Sequence, residues 1–176
     1  MIAALRPGAP VSRRPSPHSG AALVALLLAL VLGGGGLYAA QRLVNGPGRA
    51  VDVLAAPRQA ASDGISLAVT RVVVTRFFTA VDLSASNAGS ETLRLPVQRN
   101  CVLSTGGGAR IDGDAFASDW PESVAAGTTI SGTVVFNAPI PPGTGTVGLR
   151  FAVVFGYGAN AASVDGIRLR DGWQPA

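Results

Sequence analysis

The chain has no lysine, one cysteine, one histidine and only ten aromatic residues in 176. Each shortage closes off a class of function. The one histidine, His18, precedes a 22-residue stretch without a charge, so residues 41–176 contain none. A Ser-His-Asp or Cys-His triad therefore cannot be assembled in that part of a single chain. A zinc site of the His and Cys type fails for the same reason, since one thiol and no imidazole cannot supply four ligands. Cys101 is the lone thiol, so no intramolecular disulfide forms. It shares a parity with Leu95, Val97 and Leu103, which reads as a small buried hydrophobe, with pairing to another chain as the other reading.

The sequence pI near 10.5 points to a nucleic-acid binder only until the charges are placed. All fourteen basic residues are Arg. Arg6, Arg13 and Arg14 lie ahead of the apolar stretch with no acid beside them. From residue 41 onward eleven Arg face ten Asp and Glu, a net of +1. The Arg residues there are spaced singly, so no concentrated positive face tracks phosphates, and nucleic acid is not an expected partner.

Ser19 to Ala40 is a run of 22 residues without a charge, and a strongly apolar one. As a helix it would measure about 33 Å, enough for a hydrocarbon core of about 30 Å. The arginines before it place residues 1–18 in the cytoplasm and the remainder outside. A single-pass anchor in the cell membrane over 19–40 is the leading expectation. A cleaved signal peptide and a secreted protein form the alternative, because the densest apolar run, Ala21 to Leu32, has the size of a signal-peptide core and four glycines, Gly33 to Gly36, follow it. No Cys follows the segment, which excludes a lipid-anchored lipoprotein.

Residues 41–63 mix Gly, Pro, Ala and Arg without a period and read as a flexible linker. From Gly64 the period becomes two. Ile65, Leu67 and Val69 share a face, then Val72 and Val74, with a slip at Thr70 that predicts a bulge. Val81, Leu83 and Ala85 alternate with Asp82, Ser84 and Ser86, and further runs follow at 93–103, 109–111, 130–136, 147–155 and 167–169. Clusters of Gly, Pro, Asn and Ser separate them. The expectation is an all-β fold: an immunoglobulin-like antiparallel β-sandwich of about seven strands over 64–170, preceded by one N-terminal transmembrane helix and followed by a tail at 171–176.

The runs "VDLSASNAGSETLRL", "SVAAGTTISGTVVFNAP" and "VGLRFAVVF" come in an order that resembles a known group. They are similar to the immunoglobulin-like domains of unknown function on actinobacterial membrane proteins and lipoproteins, and to the small secreted immunoprotective antigens of mycobacteria. The resemblance spans residues 64–170. It implies a non-catalytic binding or accessory domain of the cell envelope, with an envelope protein or wall polymer as partner. It supplies no catalytic residues.

Two sets of residues stand out as binding candidates. "DGDAFASDWPE" gathers Asp112, Asp114, Asp119 and Glu122 on what reads as a loop over 112–127. Carboxylates on a glycine-bearing loop are the ligand type Ca²⁺ takes, although the spacing departs from the EF-hand pattern. Two such carboxylates also serve glycoside hydrolysis at a suitable separation. A solvated acidic loop is the plainer reading, and no cofactor is otherwise expected. Phe116 and Trp120, with Tyr157 further on, are the aromatic candidates for a partner-binding surface.

Overall fold

The structure is a computed structural model, and it describes residues 50–156 and 161–174. The segment 19–40 and Tyr157 lie outside the described residues. Among the described residues no helix is long and apolar enough to cross a membrane.

The described chain is all-β and antiparallel. Its strands are β1 (Val51–Asp52), β2 (Arg58–Ser62), β3 (Ile65–Val74), β4 (Thr79–Asn87), β5 (Leu93–Arg94), β6 (Cys101–Thr105), β7 (Arg110–Asp119), β8 (Ser123–Val124), β9 (Thr129–Phe136), β10 (Thr146–Phe151) and β11 (Ala162–Arg168). Nine of them form one sheet in the order β1-β3-β4-β9-β7-β6-β10-β11, with β2 also on β3; β5 and β8 form a small second ladder. The sheet curls into a half-barrel. Alternation dictates which side faces inward. Leu67 and Val69, then Val72 and Val74 after the register shift between Val69 and Arg71, all point to the core and are buried. Val81, Leu83 and Ala85 answer them across β4, and Leu149, Phe151, Val164 and Ile167 come from the far end of the sheet. Full burial of each such Leu or Phe contributes about 1.5–3 kcal/mol, which is why a chain without a disulfide holds together.

Two boundaries differ from the sequence-based expectation. Residues 51–62, expected as linker, belong to the sheet. Val53 donates its N–H to Val72 O at 2.8 Å and accepts from Arg170 N at 2.7 Å. The adjacent Leu54 bridges Leu169, and Ala55 N donates to Arg168 O at 3.0 Å. This short stretch therefore stitches the two ends of the sheet together and covers edges that would otherwise be free to pair with other chains. It carries no alternation because its apolar residues, Val53 and Leu54, are consecutive and both buried. The expected tail is also part of the domain: Trp173 is buried in the core, and its indole N–H points at Thr144 O at 3.4 Å.

The stretch 112–127, expected as loop, is largely strand. β7 first pairs with β6, Val102 opposite Asp112, then with β9, Gly113 opposite Phe136. The strand thus changes neighbours between Asp112 and Gly113. A side chain at 113 would not fit: a Cβ there would lie 2.8 Å from Val97 Cγ1 and 3.1 Å from Cys101 O. The alternation also stops earlier than expected in β10. Phe151 is buried, but Val153 and Phe155 are half exposed and Val154 is buried in their place.

Candidate functional site

The change of partners in β7 creates a polar concavity. Beyond Gly113 the strand bulges, since the register with β9 shifts between Asp114 and Asp119. The bulge is held from within. Asp114 Oδ1 accepts from Phe116 N at 2.9 Å and from Ala117 N at 3.2 Å. Ser118 Oγ donates to Asp114 O at 2.6 Å and accepts from Val135 N at 2.9 Å, which ties the bulge back to β9. The outcome is that Phe116 stands in solvent at 91% exposure. Beneath it lies a cleft of about 310 Å³, lined by Gln98, Arg99, Arg110, Asp112, Phe116 and Asn137 among others.

The opposite wall comes from the turn before β6. Asn100 is buried, and its side-chain amide donates to Pro96 O at 3.0 Å and to Val153 O at 2.8 Å while its carbonyl accepts from Val153 N at 2.6 Å. Asn100 N and Cys101 N both donate to Val97 O. This tight turn leaves Arg99 at φ 56, a left-handed conformation that costs a non-glycine residue roughly 1–2 kcal/mol. Arg110, across the cleft, holds Asp112 through Nε–H to Oδ1 at 3.1 Å, an exposed pair.

The four carboxylates singled out in the sequence do not converge. Asp112 pairs with Arg110, Asp114 caps the bulge, and Glu122 Oε1 accepts from Val97 N at 3.1 Å. Asp119 lies at the far end of the bulge, opposite Thr133. Among the described residues no three His, Cys, Asp or Glu side chains come together as a metal-holding group.

Of the aromatic candidates, Phe116 is exposed and Trp120 is not. Trp120 is 8% exposed, stacks on Phe151 with ring centroids 6.0 Å apart, and donates its indole N–H to Leu95 O at 3.0 Å. Its place beside Asp119 and Glu122 suggested a ring available to a partner, with a ring folded over the core as the plainer reading. The extended path of β7 carries it over the core. Two further aromatics are exposed, Phe77 with the Arg76 guanidinium 5.0 Å from its ring centroid, and Phe155, whose backbone pairs with Arg94. Cys101 is fully buried, and desolvation pushes its thiol far above the ordinary range.

Sequence reasoning missed Gln98, Arg110 and Asn137. They come from three separate segments, and only the pairing of β7 with both β6 and β9 unites them. No buried side-chain nitrogen or oxygen among the described residues lacks a hydrogen-bond partner.

No protein-family model matches the sequence, and no curated protein matches it. Several solved structures align with the chain, and two of them are uncharacterised bacterial proteins. A functionally unknown protein from Listeria monocytogenes EGD-e aligns at 12% identity and a TM-score of 0.48, over 70% of this chain and 90% of its own. A conserved hypothetical protein from Bacillus anthracis aligns at 12% identity and a TM-score of 0.41, over 68% of this chain and 97% of its own.

Proposed function

We propose that the chain is a non-catalytic binding or accessory domain of a bacterial cell envelope, immunoglobulin-like in architecture and held outside the membrane by residues 19–40. The observation that carries the binding role is Phe116. A phenylalanine lifted almost wholly into water by a bulge with its own hydrogen-bond network is unfavourable for an isolated domain and favourable for one that covers the ring with a partner. The non-catalytic role is supported by the chemistry left in the domain. It has no imidazole, its one thiol is buried and held neutral, and three of its four clustered carboxylates are engaged in local structure. The immunoglobulin-like reading is supported by the all-antiparallel pairing of short strands and by β7, which divides its pairing between β6 and β9 as a strand passing between two packed layers does. The membrane anchor is supported by the uncharged run and the arginines ahead of it.

The test is to follow the native protein through membrane and medium fractions by intact mass and N-terminal sequence, with a photo-crosslinker at position 116. The expected result is an uncleaved chain in the membrane fraction that crosslinks to an envelope component. A new N-terminus near Leu37 or Ala40 with the protein in the medium would replace the anchored reading by the secreted one. A chain that crosslinks to nothing in whole cells would sink the binding role.

A further inference from the structure

We infer that the cleft at the β7 changeover is a subsite for a neutral pyranose unit of a wall polysaccharide. The inference rests on the reading of this domain as a binding module outside the membrane, and it names the ligand class. The first argument is the lining. Gln98, Arg99, Arg110 and Asn137 bring planar, fork-shaped N–H donors, while Asp112 and the two amide carbonyls bring acceptors. A sugar ring presents hydroxyls that both donate and accept, on alternating sides of a ring whose C–H groups form an apolar face. Phe116 stands at the rim of the same cleft with its ring free, ready to take that face. A phosphate or a peptide carboxylate would call for an excess of positive charge. The cleft has two arginines against Asp112 and Asp114, so its charges balance.

The second argument is size. At about 310 Å³ the cleft is at the small end of ligand-binding concavities, suited to one or two rings rather than to a folded protein surface.

The third argument is where backbone strain is kept. Arg99 occupies a left-handed conformation that glycine would adopt freely. The turn is fixed by Asn100, and Arg99 is among the residues that line the cleft. Strain held at a residue that serves no structural ion pair among the described residues is what a binding side chain positioned in advance requires. Arg110 is positioned too: its Nε–H is taken by Asp112, which orients the other guanidinium N–H groups without consuming them.

The experiment uses the full chain in detergent or nanodiscs. Saturation-transfer NMR is run against maltohexaose, cellohexaose, mannohexaose and tri-N-acetylchitotriose, each at about 10 mM, a level that reveals millimolar affinities. The expected result is transfer from the protein to the ring C–H protons of at least one of them, with binding weakened at least tenfold by Phe116→Ala. Arg99→Gly should weaken binding at least fivefold while leaving the melting temperature unchanged or higher, because the substitution relieves the left-handed backbone. A residue with a purely structural role would give the opposite pair of results. Absence of transfer with the whole panel overturns the subsite, as does binding that survives both substitutions. If the panel fails but position 116 still crosslinks to a protein in cells, the ligand class is wrong and the binding-module reading stands. If the glycan binds but no envelope crosslink forms in cells, the subsite stands and the envelope role falls.

Discussion

Replacing Asn100 by alanine tests how the turn beneath the cleft is held. Asn100 is buried, and its side chain makes three hydrogen bonds, to Pro96 O, Val153 O and Val153 N. Each such bond is worth about 0.5–1.5 kcal/mol net. Val153 is 46% exposed, so water can reach its freed backbone groups, while Pro96 O is left with poorer access. The sum is about 3 kcal/mol. For a domain of this size that lowers the melting temperature by roughly 10 °C. Native-state hydrogen exchange adds the local reading. The Val153 amide should lose protection in Asn100→Ala, whereas the Leu149 amide, inside β10, should change only with the global stability. Ala152 N, which donates to the backbone carbonyl of Asn100 at 2.9 Å, should lie between the two. A loss below 1 kcal/mol, or a Val153 amide as protected as before, would refute the view that this side chain joins the segment after β10 to the segment before β6.

Gly113→Ala should destabilise by about 2 kcal/mol in urea unfolding, since the new methyl meets Val97 Cγ1 at 2.8 Å and a backbone carbonyl that cannot swing aside; the paired variant Gly113→Ala with Val97→Ala should recover part of the loss. Trp120→Phe should cost about 2 kcal/mol, because Leu95 O loses a buried donor and the contact with Phe151 shrinks, and its near-ultraviolet circular dichroism should flatten. Cys101 should resist iodoacetamide in the folded protein and react on unfolding in guanidinium. Burial raises its thiol above the ordinary 9.0, so the unfolded chain releases the proton first. Its contribution to stability is therefore complete below pH 9.0 and is lost as pH rises beyond that, at about 1.4 kcal/mol per pH unit, and Cys101→Ala should remove that part of the slope. A Ca²⁺ titration should leave the melting temperature unchanged, and a rise that Asp112→Asn abolishes would show that the carboxylates do gather around a cation.

The strands were legible where one face alone is buried. β3, β4 and β9 alternate because water lies on one side and the core on the other, and even the slip at Thr70 shows as a phase change that the register shift between Val69 and Arg71 explains. The parts that hold the ends of the sheet together were not legible. Val53 and Leu54 are buried side by side, so they carry no period, and Trp173 is a single residue in a polar tail. Their burial depends on partners distant in sequence, Arg170 for Val53 and Thr144, 29 residues back, for Trp173, and no local pattern records such a pairing.

The same limit explains why most of β7, from Asp112 on, was read as a loop, and why Asp112, Asp114 and Phe116 were singled out without the other residues that line the cleft with them. "RIDGDAFASD" turns only one large apolar residue inward, Ile111, and follows it with Gly113 and Ala115, because the strand passes over Val97 and Cys101 at close range where it leaves β6 for β9. A strand that must bend between two neighbours cannot keep large apolar side chains on one face, so it loses the signal by which strands are recognised. The bend is also what makes a concavity. Arg110 and Asp112 stay with β6, Phe116 rides the bulge beside β9, and the space between them is filled by neither strand. The weak strand signal, the glycine and the cleft thus have one physical origin, and in curled sheets of this kind a polar, glycine-bearing stretch between two clear strands is where a concavity should be sought.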